Sequence, residues 1–517
     1  MRAFAKAGRG VAKFGMDVAA SPFLDCPPDR SAVRANPATS SRRLMGSTHS
    51  STHDGPLALT AQLARFVHQA RWQDLPATVQ HEAVRAVVNS VGCAHGGASS
   101  PAVTHALAGL KGLQAGGACT VLGTPHRLDP LNAAMVNGLS IGAHAFDDAH
   151  LATVAHPGAP GVAALLAHAE RHRVAGTDFL LALALSSELQ CRLSCALAVG
   201  PAQCELGWYM TGVTGAVGVA AAVGKLMGLP ERQLAWAMGL AALQAGGLRA
   251  SHGSMSSALI PGHAGREGLL AAHMAAADFS CHDDALGTTH GLLQLFGRPA
   301  NAEALTQRLG QHWECMNVSL KPFPAGCLTH AVIDACLQLV RLHEFAADDI
   351  EHVQLWVHPL AEGLTGRRQP QHSFDAQASI YHWAAAVLRH RRAGLVEASD
   401  ACVHEPQVVA LRTRVVATVD ETLALDAARA AVTLRDGRRL EAAVGPCIGS
   451  AARPMTDQEL DAKLLRQAGD VLGQDHAMQL SRHCWQIAEA ADVAGAAPGF
   501  WGPAPLLTTL LANKETR

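Results

Sequence analysis

Gly207-Trp208-Tyr209-Met210-Thr211-Gly212-Val213-Thr214-Gly215-Ala216-Val217-Gly218-Val219-Ala220-Ala221-Ala222-Val223-Gly224 runs without a charge until Lys225 closes it. The length raises the question of a membrane span. Its composition answers differently, because Gly, Ala, Val and Thr replace the Leu, Ile and Phe that lipid favours. We read a helix buried in a soluble core. Small side chains let helix backbones approach closely, and the whole chain shares the bias. Hydrophobic residues make up 49% of the 517, charged ones 16% and aromatics only 4%. That balance opposes extensive disorder and points to packed helices rather than an aromatic-cored β-sandwich. The fold class expected is mostly α.

Working outward, Leu57 to Val67 places apolar residues at i, i+3, i+4 and i+7. Helical patterning continues through 81–96, 131–144, 159–172, 177–197, 209–226, 231–246 and 266–277. After about residue 325 the pattern changes. Val353–Val357, Arg412–Thr418 and Ala431–Leu434 alternate like strands, the last followed by the turn pair Asp436-Gly437. Helices at 328–345 and 376–391 sit among them. Beyond Pro454 helix returns, opened by the capping-box pattern Thr456-Asp457-Gln458-Glu459. The expected architecture is a large helical domain from 55–325 and 455–510, with an inserted smaller α+β lid domain over 326–454. Residues 1–54, rich in Ser, Arg and Pro and basic at their start, read as a disordered extension.

Composition excludes several function classes. A formal net charge of −2 with no dense Lys/Arg run opposes nucleic-acid binding. Thirteen cysteines without a CxxC pair fit buried thiols in a reducing cytosol, not a disulfide scaffold. With no secretory h-region visible, a cytoplasmic protein away from membranes is expected.

Four segments carry a resemblance. They are Asn137-Gly138 through Phe146-Asp147-Asp148 to His156-Pro157-Gly158; Gly207-Trp208-Tyr209-Met210-Thr211-Gly212 with its helix to Leu226; Gly253-Ser254-Met255 through Gly262 to Ala272; and Lys321-Pro322-Phe323-Pro324 with His330 and Ile333-Asp334. In this order the chain resembles the MmgE/PrpD family, which includes 2-methylcitrate dehydratase, cis-aconitate decarboxylase and iminodisuccinate epimerase. The resemblance covers roughly 57–510. It implies a homodimer acting without a cofactor on a small di- or tricarboxylate, with lyase chemistry or, alternatively, epimerisation.

Proton removal beside a carboxylate needs a base, a clamp on the carboxylate and an acid for any leaving group. The resemblance puts His156 in the acid/base role, Asp148 as its partner or a second base, Asp147 beside them, and Tyr209 as proton donor. Lys321, Ser257, Thr211 and His382 are the implied substrate-binding positions. The chain also departs from the family pattern. Gly142 and Ala145 stand where members carry His and Asp, Ala149 replaces Thr, and Tyr209 and Ile260 replace His. Ser257 replaces Lys, and His382 takes the place of an aromatic acid/base, with Tyr381 next to it. Arg249, His252, His263 and Arg266 are the candidates for replacement positive charge. An inactive carboxylate-binding paralogue stands as the non-enzymatic alternative.

Two motifs are decoys. Gly138-Leu139-Ser140-Ile141-Gly142 spells a nucleophile elbow, but that motif needs a strand before it and Leu131–Val136 reads as helix. Gly218 to Lys225 has five residues before Gly-Lys, not the four of a phosphate-binding loop. Among 28 histidines, His144, His150 and His156 recur every six residues, which spreads them about 120° apart around a helix. No metal is expected of them.

Overall fold

Gly262 shows why the core is helical and why it holds so few large side chains. A Cβ there would lie 2.1 Å from the Met135 carbonyl oxygen, and one on Gly138 would lie 2.7 Å from the Gly262 Cα. Two helix backbones therefore touch, which only glycines permit. In a computed structural model, these glycines belong to α4 (Pro130–Gly142) and α9 (Ser256–Ala276). The quoted stretch forms α7 (Met210–Leu226), whose Ala216 and Val219 meet Gly268 of α9 in the same manner. Around this centre pack α2 (Ala77–Gly97), α5 (Gly158–Ala169), α6 (Gly176–Leu197) and α8 (Glu231–Ala242), with α1 (Leu59–Gln69) and α3 (Pro101–Leu110) outside. The structure describes residues 58–113, 116–197, 207–297, 299–494 and 501. The reading of 1–54 lies outside these.

α9 is longer than the sequence pattern suggests. Pro261, Gly262 and Gly265 read as helix breakers, so only 266–277 is expected. Packing against α4 overrides that local preference, and the helix runs through Pro261. Helix Gly176–Leu197 is long and apolar enough to cross a membrane, and 89% of its apolar window is buried inside the protein.

Two short two-stranded antiparallel sheets decorate the helices: β1 (Cys119–Thr120) with β2 (Arg127–Leu128), and β3 (Asp148–His150) with β4 (Val318–Leu320). The second pairs Asp148 with Leu320 and His150 with Val318. It brings two distant segments of the sequence edge to edge.

A second apolar core runs from Phe323 to Cys447. Its sheet has the order β6-β5-β7-β8, from β5 (Ile350–Val357), β6 (Val415–Val419), β7 (Ala428–Leu434) and β8 (Arg439–Val444). β5 runs parallel to β6 and antiparallel to β7, with Val353 opposite both Val415 and Val432. Along β5 the buried positions alternate through Val353, Leu355 and Val357, as period-two patterning requires. Helices His330–Leu342 and Ile380–His390 belong to the same core. The strand expected from Arg412 begins only at Val415, because Pro406–Arg412 forms a helix. Gly437 takes the positive φ of +87° that its turn requires. Helix Asp457–Leu472 then returns to the helical core behind its Thr456–Glu459 capping box.

Candidate active site

The β3–β4 pairing decides which charges meet. Lys321, one residue past β4, donates its backbone N–H to the Asp147 carbonyl, one residue before β3. Their side chains therefore face each other, and Lys321 Nζ donates to Asp147 Oδ1 at 2.5 Å. Both are almost fully buried. His156, on the loop after β3, places Nδ1 3.4 Å from Asp147 Oδ2 and 3.5 Å from Lys321 Nζ. Its Nδ1 also lies 2.5 Å from the Asp148 carbonyl oxygen. A carbonyl only accepts, so Nδ1 carries the proton and Nε2 is the basic nitrogen.

Two hydrogen bonds hold this loop. The Thr211 hydroxyl accepts from the His156 backbone N–H at 2.8 Å. Asp148 Oδ2 accepts from Gly158 N–H at the start of α5. Val154 adopts φ +56° and Ala145 φ +49°, conformations that a β-branched residue in particular rarely takes. Backbone strain of this kind gathers at functional sites.

Burial and the neighbouring Lys321 charge lower the pKa of His156, so the ring is neutral at pH 7. Burial alone would raise Asp147, but Lys321 and His156 outweigh it and its pKa falls below the usual carboxylate value. At Asp148 the Lys321 charge and the Gly158 N–H are too weak to offset the opposing effects. Burial, and then the charge of Asp147, push it up to about 7.

Asp147, His156 and Lys321 line a cavity enclosing about 740 Å³ of empty space open to solvent. Its walls come from the helical core (Tyr209, Ser257) and from the 326–378 region (Cys327, Phe374). Tyr209 presents its ring 6.0 Å from that of His156 and edge-on to His252 at 5.0 Å. Burial and the Asp147 charge raise its pKa, so the phenol stays protonated. Ser257 lines the cavity but donates its hydroxyl to the Ser254 carbonyl.

Three readings from the sequence need correction. The Asp148 carboxylate points away from the cavity and caps Gly158, so only its backbone carbonyl serves His156. Asp147 is the charged partner. Thr211 is buried and supports the loop instead of lining the cavity. His382 lies in the second core, where Nε2 hydrogen-bonds to the Glu397 carbonyl at 2.8 Å. Of the proposed replacement cations, His252 lines the cavity, whereas His263 and Arg266 pair with Glu267. Ser140 of the apparent nucleophile elbow is buried in α4 and donates to the Ala94 carbonyl.

One residue escaped sequence reasoning. Lys463 is buried and donates to Asn89 Oδ1, the Phe146 carbonyl and the Lys321 carbonyl at 2.6–2.8 Å. It thus ties together the backbones on both sides of the Asp147–Lys321 pair. The signal was present, since Leu460, Lys463, Leu464 and Gln467 form one i, i+3, i+4, i+7 stripe.

Residues 61–305 match the MmgE/PrpD N-terminal domain and residues 323–487 the MmgE/PrpD C-terminal domain. The chain belongs to the MmgE/PrpD family. The cis-aconitate decarboxylase-like protein oryM of Aspergillus oryzae is 28% identical over 84% of this chain and 96% of its own length. Cis-aconitate decarboxylase of Aspergillus terreus is 26% identical, covering 82% and 91%. Cis-aconitate decarboxylase of Homo sapiens is 25% identical, covering 87% and 95%. In this MmgE/PrpD chain the first and fourth family segments meet at the Asp147–Lys321 pair, and the second supplies Tyr209.

Proposed function

We propose that this MmgE/PrpD protein is a lyase that transfers a proton at a carbon beside a carboxylate of a small di- or tricarboxylate. The observation that carries the reading is the buried Lys321–Asp147–His156 cluster on the cavity wall, with a neutral imidazole beside a protonated phenol. In a dehydration, His156 Nε2 takes the proton from carbon and the hydroxyl leaves with a proton from Tyr209. In a decarboxylation, the C–CO2 bond breaks and its electron pair passes into the adjoining conjugated system. A proton from Tyr209, whose ring lies 6.0 Å from that of His156, then completes the new C–H bond, and His156 passes a proton from solvent back to the phenolate. Lys321 supplies the positive charge that either transition state needs, and Asp147 fixes its place. The names of the relatives favour decarboxylation of a tricarboxylate. The homodimeric state is part of this proposal, and sedimentation velocity checks it.

The test is incubation with cis-aconitate, citrate, 2-methylcitrate and iminodisuccinate in turn, following CO2 release and new vinyl proton signals. Turnover of one of them, lost in His156→Ala, is expected. α-Proton exchange without a new product would move the reading to an epimerase. No change with any of the four would remove the lyase reading on these acids.

A further inference from the structure

α5 and α9 end together far from the cavity, and three imidazoles converge there. His168 sits in the last turn of α5, His172 one turn further, and His273 in the last turn of α9. Ring centroids are 4.4 Å apart for His168 and His172, 5.8 Å for His168 and His273, and 6.2 Å for His172 and His273. One ring nitrogen from each lies within 4.8 Å of the others.

The chemistry of these nitrogens sets the group apart. His168 is 4% exposed, and its Nδ1 has no hydrogen-bond partner among the described residues. A buried polar atom without a partner asks for an explanation such as an ion. His172 and His273 are exposed, and their rings make no hydrogen bond among the described residues. Elsewhere the comparable groups are already satisfied. His150 places one nitrogen near Thr153 and the other near Glu314, and His390 meets Glu405. Both helices also direct the negative ends of their dipoles toward this spot.

We propose that His168, His172 and His273 form a binding site for a divalent transition metal of the zinc class. Three imidazoles without a carboxylate suit Zn2+, Cu2+ or Ni2+ and not Ca2+ or Mg2+. Tetrahedral zinc with bonds of about 2.0–2.1 Å requires nitrogens about 3.3 Å apart. The two exposed rings rotate inward onto the fixed His168, leaving the fourth position to solvent. The ion ties the far ends of two helices whose near ends serve the cavity. α5 starts two residues after His156, and α9 carries Ser257 and Pro261 in the cavity wall. Twelve residues of α5 put the ion about 18 Å from that wall, so its role is to brace the helices.

The experiment uses the full chain, stripped of metal and titrated with Zn2+ against a chromophoric chelator, with bound zinc counted by mass spectrometry. The double variant His172→Ala/His273→Ala changes only exposed side chains, so its metal-free melting temperature is expected to match the wild type. Loss of even a supporting contact to a ligand costs about 10–100-fold in metal affinity, so losing two ligands should weaken binding by at least about 100-fold. One zinc equivalent and the zinc-dependent rise in melting temperature should disappear together. Equal zinc content and an equal rise in wild type and variant would overturn the site, as would a wild type that binds no zinc. Co2+ substitution gives a second reading: imidazole-ligated absorption bands are expected in the wild type and absent from the variant.

Discussion

His156 is the residue on which the chemistry turns, and its environment makes a specific demand. Because burial and Lys321 lower its pKa, the acid limb of kcat/KM should lie below pH 6.5, the ordinary imidazole value. A pH–rate profile checks this. Removing an acid/base group of this type typically costs about 10²–10⁴-fold, which is the fall in kcat expected for His156→Ala. Lys321→Met leaves Asp147 buried without its cation, a loss of about 3–5 kcal/mol of stability. Adding Asp147→Asn should restore part of that stability without restoring turnover, as urea melts and rate assays would show. Asp148 makes the opposite demand. Its folded pKa of about 7 exceeds the unfolded value of 3.8, so the native state holds an extra proton between them. Stability from this group is thus full at low pH and is lost as pH rises from 3.8 through about 7. Asp148→Asn should therefore gain in melting temperature relative to wild type on going from pH 5 to pH 8.

At the scale of elements, packing explains both what the sequence revealed and what it hid. The Gly/Ala/Val composition of 207–224 announced a close-packed helix, and α7 is that helix. The contact between Gly138 and Gly262 tests the same logic: Gly262→Ala would press a methyl on the Met135 carbonyl and cost at least about 1–3 kcal/mol. A denaturation midpoint reads it. Period-two alternation found three of the four strands of the large sheet and missed β8, and Thr456–Glu459 marked a real helix start. What stayed illegible depends on contacts between distant residues. Asp147 meets Lys321 only through the β3–β4 ladder, a pairing of two three-residue strands with no periodic signal. That is why Asp148, not Asp147, looked like the natural partner of His156. His382 was placed by alignment alone, and the sequence could not reveal that its ring turns into the second core.

Across the whole molecule, the cavity is assembled from both cores, and Lys463 fastens its floor from the C-terminal segment. Lys463→Met orphans buried carbonyl oxygens next to Asp147 and Lys321, at about 1–3 kcal/mol. It should also lower kcat, because the pair it steadies would lose its register. A thermal melt beside a rate assay separates the two effects. The three-histidine group between α5 and α9 belongs to this scale as well. It joins a pair four residues apart, His168 and His172, to the distant His273, whereas the regularly spaced His144, His150 and His156 form no common cluster among the described residues.

The most direct test of the account is proton NMR in D2O with cis-aconitate, comparing wild type, His156→Ala and Tyr209→Phe. Wild type is expected to form product with deuterium at the newly protonated carbon, and both variants to slow this strongly. Wild-type turnover that His156→Ala leaves unchanged would contradict it.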